Sequence, residues 1–520
     1  MLNSNSIFTS NLIFKLAAVL FPFFLISGPF LSDSIVVLLA ISFVTHCYIG
    51  KNFFFYKNKL IIFFFAFYFY ININSFFSYI PLVSFATTLP YIRFIFFFIF
   101  IGYLLKRIIN LKKLFFFSFV SSYLILFIDS LFQIKTGYNI LGYPIVTDRV
   151  ASFFRDKLVM GSYVSRTLPI LLAISYIEDF RRADFLRFFL ILLASALVFF
   201  SAERASVFLL IIIIVMYLIF LPTKKLFIHV ILISILLILL SLLKPSTPNR
   251  LFKHTFFQLN EKNKSWWISE RHEMHILTGY RMFIDKKFLG HGVKSFRYLC
   301  DKDPFSVKDI IIENNSIFSP IDGYFYIFIV DNKNLFFIVP ESHIKNFKNQ
   351  IEILDKFKTE DVSKKIFYKS EEFDFLLNNK EIKFGTVKGY MAGSLENSSK
   401  VNKGDFIFSD SHFIDGCNTH PHNFHIQFLS ELGLVGYLFL FSFLIYLIFI
   451  FSRNLVSSLL SKVNNSSKKN DIYIVFISLG LILHLFPVLP TGNFFNNWLS
   501  ILFYLNLAFF INLDNFIYKK

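Results

Sequence analysis

Cysteine is scarce. The 520 residues hold three, Cys47, Cys300 and Cys417, and none stands in the CxxC spacing of a zinc or redox motif. The N-terminus lacks a charged region followed by a short apolar core and a small-residue cleavage site, so it reads as a retained first span rather than a leader. A formal charge of +18 could suggest a nucleic-acid partner. No basic stripe with interleaved aromatics accompanies it, which argues against nucleic acid. No internal repeat of the transporter kind stands out either. Phenylalanine is plentiful at 76 residues, but its company of Lys, Ile and Asn looks like nucleotide bias, so single aromatics say little.

What is present is apolar length. With 55% hydrophobic residues and a mean hydropathy of +0.59, the chain exceeds what a soluble interior can hide, and it reads as a membrane protein. Apolar runs near the length of a spanning helix, about 20 residues, recur about twelve times. Nine precede residue 243 and three follow residue 422. Every second connection is basic, as at Lys51, Lys57 and Lys59, at Lys106, Arg107, Lys112 and Lys113, at Arg181 and Arg182, at Lys224 and Lys225, and at Arg453, Lys468 and Lys469. The positive-inside rule puts these connections in the cytoplasm and the polar gap 244–421 on the other side.

The expected organisation is therefore an all-α polytopic membrane protein with spans in 1–243, an extracytoplasmic loop in 244–421 and spans in 422–520. Within the loop, Lys244 to about Asp303 suggests short helices on the membrane surface. From about 304 to 410 alternation takes over, as in GYFYIFIV, and predicts a β-rich insert. Its ends, Phe318–Phe325 and Val401–Ser409, resemble the turns of biotinyl- or lipoyl-type modules, with no carrier-type lysine at a hairpin tip, which suggests scaffold or partner contact. Cys47 lies within an apolar run as a core residue. Cys300 and Cys417 flank the polar stretch and can pair as a disulfide in an oxidising compartment.

Where the loop re-enters the apolar sequence, residues 420–436 read HPHNFHIQFLSELGLVG. His422 and Asn423 are followed by nine residues, Gly433, two residues and Gly436. This H-N-x9-G-x-x-G pattern resembles the signature of bacterial O-antigen ligases, within a wider family of O-antigen ligases and polymerases. The resemblance implies a type-C glycosyltransferase fold in the bacterial inner membrane, with its active site facing the periplasm. It implies transfer of an O-antigen-type glycan from undecaprenyl diphosphate to a sugar hydroxyl of lipid A-core, with inversion and with neither metal nor cofactor. The partners are then the carrier-linked glycan, the lipid A-core acceptor and membrane lipids, in a step of lipopolysaccharide biosynthesis.

Physical chemistry points to the same residue types. Moving a sugar from a lipid diphosphate to a hydroxyl calls for a base and for cations on the departing diphosphate. Histidine, with an ordinary pKa of about 6.5, serves as the base, which nominates His422. Arginine presents a fork to phosphate oxygens. Arg204, in a very short outer turn beside Glu203, looks like one family arginine, although Phe208 stands where the family has leucine. Arg271, ahead of LGHG, looks like the second, and Arg281 competes with it. Arg155 and Lys157 precede another span and are further diphosphate contacts, and Arg93 is a candidate to face the same cavity.

Other readings compete. His420, His422 and His425 could bind zinc, but no carboxylate or cysteine is spaced to complete the site. Glu431, nine residues or about 900° along a helix from His422, turns to the opposite face and reads as a structural hydrogen-bonding residue. Gly433 and Gly436 read as sites of close helix approach. An O-antigen polymerase is the nearest alternative activity, disfavoured because such enzymes tend to show arginine where His422 stands. A flippase or transporter is the alternative of another class, and it would place charges at mid-membrane.

Overall fold

The computed structural model describes residues 4–50, 57–146, 148–253, 270–309, 312–313, 325–330, 335–340, 382–387, 414–461 and 466–511. The chain divides into two units, one of Met1–His272, Gly279–Phe305 and Asn418–Lys520, the other of Glu273–Thr278 and Ser306–Cys417.

The first unit is helical. Ten helices fill its N-terminal part: α1 (Ser4–Ser27), α2 (Pro29–Gly50), α3 (Lys59–Phe76), α4 (Pro81–Thr88), α5 (Ile92–Arg107), α6 (Leu111–Thr136), α7 (Met160–Ile177), α8 (Ala183–Ser201), α9 (Arg204–Ile219) and α10 (Thr223–Leu243). A helix at Glu270–Asp285 follows, and the chain closes with helices at Gly433–Leu460, Ser466–His484 and Asn497–Ile511. Seven helical stretches among the described residues are long and apolar enough to cross a membrane, against about twelve spans expected, with shorter apolar helices beside them. The protein is multi-pass. Between α3 and α5 the chain forms the short helix α4. Proline at its first position costs nothing, since that N–H has no partner within a helix anyway.

The core centres on α5, α7 and the last helix. From Ser500 to Ile511 every residue is buried, and α7 is buried along nearly all its length. Gly102 in α5 lets the last helix approach so closely that an added Cβ would stand 2.7 Å from Ile511 Cγ2 and 3.3 Å from the Ala508 carbonyl. Such contacts replace the hydrophobic drive that lipid cannot provide between helices. By contrast α10 buries only Ile233 and Leu240, as suits a helix whose apolar surface meets lipid.

Polar side chains fix the end of the bundle where α6 ends and α7 begins. Asp129, which has no evident role in the sequence, is fully buried and accepts the Ile140 N–H at 2.9 Å and the Ser152 hydroxyl. Gln133, one turn later, accepts the Ser152 N–H at 2.9 Å and donates to the Tyr143 carbonyl at 3.1 Å. Together they brace the segment between α6 and α7 from below.

In the second unit, Ile312–Glu313, Ile382–Val387, Phe325–Val330 and Leu335–Pro340 form an antiparallel sheet in that spatial order. Lys308–Asp309 pairs separately with Ile414–Asp415. Most of 304–410 lies outside the described residues, including nearly all of Phe318–Phe325 and the whole of Val401–Ser409.

Candidate functional site

The H-N-x9-G-x-x-G stretch divides its labour. Asn423 has extended backbone and caps the helix that follows, its Oδ1 accepting the N–H groups of His425 at 2.9 Å and Ile426 at 3.1 Å. Its Nδ2 donates to the Pro487 carbonyl at 2.5 Å. His422, just before the cap, holds φ +52°, a left-handed conformation that costs a non-glycine residue roughly 1–2 kcal/mol. The Thr491 N–H secures it by donating to the His422 carbonyl at 2.7 Å.

Burial separates the three histidines. His425 is buried, with Nδ1 3.2 Å from the Tyr437 hydroxyl and Nε2 2.9 Å from the Leu485 carbonyl. His420 is buried, with Nδ1 2.9 Å from Thr419 Oγ1 and Nε2 3.3 Å from the Thr491 carbonyl. Burial pushes the His420 pKa down to about 4, and the charges of Arg297 and His272 add to the effect. Both rings are thus committed through both nitrogens, which works against the three-histidine zinc reading. Among the described residues no group of three His, Cys, Asp or Glu is arranged to hold a metal ion. His422 alone is half-exposed, its ring 4.1 Å from that of His420 and edge-on to His272 at 5.3 Å.

Of the two glycines, Gly433 does something other than expected. The predicted single helix from Phe424 is broken: Phe424–Gln427 is α-helical, Phe428–Leu432 is a wider π turn, and Gly433 has φ +64°. An added Cβ at Gly433 would meet the Phe288 carbonyl oxygen at 2.3 Å and the Gly290 nitrogen at 2.6 Å. Gly433 therefore admits a loop backbone and not a neighbouring helix. Residues 287–292 dock on the break through four bonds: His291 N–H to Ser430 O at 3.1 Å, Gly292 N–H to Glu431 O at 2.7 Å, Leu434 N–H to Lys287 O at 2.7 Å and Val435 N–H to Phe288 O at 3.2 Å. Gly436 gives room to Tyr70 of α3, at 3.1 Å from an added Cβ. Glu431 is fully buried and accepts Gln427 Nε2 at 3.0 Å and the Phe296 N–H at 3.4 Å.

Arg204 opens α9, with Glu203 as its N-cap. Glu203 turns to the start of α7, accepting the N–H groups of Gly161 at 2.8 Å and Ser162 at 3.1 Å and the Ser206 hydroxyl at 2.9 Å. Arg149 stands 3.8 Å from the same carboxylate and donates to the Ser201 and Leu158 carbonyls. Burial raises the Glu203 pKa and the Arg149 charge opposes that rise. Phe208, one turn beyond Arg204, packs on Phe486 with ring centroids 5.6 Å apart, which gives the departure from leucine an aromatic contact. Phe486 belongs to the loop whose Leu485, Pro487 and Thr491 backbone holds His425, Asn423, His422 and His420. One loop thus touches α9 through Phe208 and holds the stretch that carries His422.

Arg271 lies in the first turn of the helix Glu270–Asp285, next to His272 and so beside His422 along the backbone; its side chain lies outside the described residues. Arg281 is exposed about 15 Å further along the same helix. Arg155 and Lys157 are exposed, the first over the Tyr143 ring at 5.1 Å and the second 2.9 Å from Asp156, and no described contact brings either to His422. Arg93 is committed elsewhere. It pairs with Asp33 at 3.0 Å and donates to the Pro90 carbonyl at 2.9 Å.

Three nearby residues escape the sequence reading. His272 is hidden because only folding sets it against His422. Arg297 and Lys294 follow LGHG, and the same search for cations outside the membrane that yields Arg271 reaches both. Arg166, buried in α7 and donating to the Ser162 hydroxyl, is a further charge that an apolar run concealed. Cys47 is free and buried, while Cys300 and Cys417 are each disulfide-bonded.

Residues 189–322 match the family model described as O-antigen ligase. Over that segment the chain is similar to the O-antigen ligase family. The matched segment contains Arg204, Arg271, Lys294 and Arg297 and ends well before His422. Among curated proteins no sequence matches. That match and the apolar helices together point to a multi-pass membrane enzyme of the ligase or polymerase kind.

Proposed function

We infer that this protein is a glycan ligase, moving an O-antigen-type glycan from undecaprenyl diphosphate to a sugar hydroxyl of lipid A-core at the periplasmic face of the bacterial inner membrane. His422 takes the proton of the acceptor hydroxyl. The freed oxygen attacks the anomeric carbon from the side opposite the diphosphate, the bond to the diphosphate oxygen breaks, and the configuration inverts. Arg204 and Arg271 hold the departing diphosphate as its charge grows, with Arg155 and Lys157 as outer contacts. Cys300 and Cys417 pair with each other as a disulfide flanking the polar stretch between them.

The observation that carries this reading is the contrast within one short stretch: two histidines locked through both ring nitrogens, and between them a half-exposed one held at φ +52°. A strained backbone at a half-exposed histidine is what a functional position looks like. His422→Ala is expected to insert normally and to lower transfer at least about a hundredfold, as loss of a general base does. The assay is transfer by purified protein with carrier-linked donor and lipid acceptor, and undiminished transfer would overturn the assignment. Deleting the gene separates ligase from polymerase: accumulated carrier-linked glycan marks a ligase, and loss of chain length with retained single units marks a polymerase.

A further inference from the structure

We propose that Lys294 and Arg297 form an anion-receiving pair at this site, accepting a phosphate-type oxyanion of a substrate. Both side chains are half-buried. Neither cationic head hydrogen-bonds or ion-pairs with any described residue, and Arg297 Nε is buried without a partner. Leaving a cation so placed is costly unless an anion completes it. The charge of Glu431 reaches both heads, but its carboxylate hydrogen-bonds to Gln427 Nε2 and the Phe296 N–H and forms no hydrogen bond or ion pair with either.

The segment that carries the pair is fixed on every side. Gly292 and His291 are bonded to Glu431 and Ser430, Ser84 Oγ donates to the Val293 carbonyl at 2.8 Å, and Cys300 Sγ lies 3.7 Å from the Asn418 carbonyl, two residues before His420. The two cations are close enough to feel each other and the histidine pair. Burial holds the Lys294 pKa below its ordinary value and Arg297 adds to that, while Arg297 also contributes to the depression at His420. A guanidinium fork beside an ammonium suits the several oxygens of a phosphate. Two sources offer this chemistry: the diphosphate of the donor, or an anionic group on the acceptor saccharide. The second would make the pair a determinant of acceptor choice. The proposal rests on the reading of the site as a glycan-transfer centre for the identity of these sources, but its test does not require turnover.

Full-length protein in lipid nanodiscs, as wild type, R297Q, K294Q and R297K, is titrated with farnesyl diphosphate and with glucose 6-phosphate, against farnesol and glucose as neutral controls. Wild type is expected to prefer at least one anionic probe to its neutral counterpart. R297Q weakens that binding roughly tenfold, K294Q weakens it less, and R297K recovers part, as the strength of charged hydrogen bonds requires. A loss confined to farnesyl diphosphate assigns the pair to the donor, and one confined to glucose 6-phosphate assigns it to the acceptor. If R297Q does not elute as folded protein, K294Q decides. Failure of wild type to bind either anion, or unchanged binding in the folded variants, overturns the proposal. His422→Ala is expected to retain anion binding, so persistent transfer by that variant would sink the catalytic reading and leave this one standing.

Discussion

Around the turn Ser201–Arg204, Glu203 meets Arg149 and two N–H groups of α7, and Lys244 reaches the Asp148 and Phe200 carbonyls. In the segment from His291 to Cys300 the backbone is bonded just as thoroughly, yet Lys294 and Arg297 present heads that no described residue completes. In the first region Glu203, Arg149 and Lys244 are engaged in holding the ends of the surrounding helices in place. The second region is held by main-chain bonds, which leaves its cations for something else. Where a fold pays for rigidity without charges, the charges it keeps are candidates for ligands.

Predictions follow from breaking one side of this contrast at a time. The largest effect is expected at Glu203, because Glu203→Ala leaves Arg149 and the start of α7 without their shared acceptor; breaking such a pair typically costs about 3–5 kcal/mol. Thermal melting of detergent-solubilised protein should show it, and an unchanged melting temperature would mean the turn is not the anchor described here. Acid comes next. His420 has a folded pKa near 4 against about 6.5 unfolded, so its neutral ring contributes stability above pH 6.5 that is lost as pH falls toward 4, about 3 kcal/mol in all. Melting measured across that window should steepen with acid in wild type and flatten in His420→Gln, with a residue left by His291, whose burial likewise lowers its pKa.

Gly433→Ala tests the main-chain docking that holds the second region. It places a Cβ against the Phe288 carbonyl and demands φ +64° of alanine, so a cost of about 2 kcal/mol is expected, read as a lowered melting temperature. The smallest effect sharpens the contrast from the other side. Lys294→Gln should leave stability within about 0.5 kcal/mol of wild type or slightly above it, since a cation without a partner is being removed from beside another. A clear loss of stability there would mean that Lys294 is structural after all.

Much of the helical layout was legible because apolar length and charge alternation are properties of the string itself. Arg166 was not, since flanking leucines and isoleucines outweigh one guanidinium, and only the packed bundle shows it buried in α7, where it donates to Ser162. The signature stretch was legible as a motif but its parts were misassigned in one respect. Gly433 was taken for helix packing because spacing cannot reveal a π turn, and the loop that fills its space lies far away in sequence. Asp129 illustrates the same limit: its partners Ile140 and Ser152 become neighbours only when the segment before α7 folds back over α6.

The docking of residues 287–292 on the break at Gly433 also orders events in time. These residues leave the ribosome long before 430–435, so until the later helix has been threaded their amides and carbonyls must look to water or to a chaperone. A polypeptide cut short between Arg297 and Ser430 would carry Arg204, Arg271 and Arg297 and still lack the seat on which their loop comes to rest.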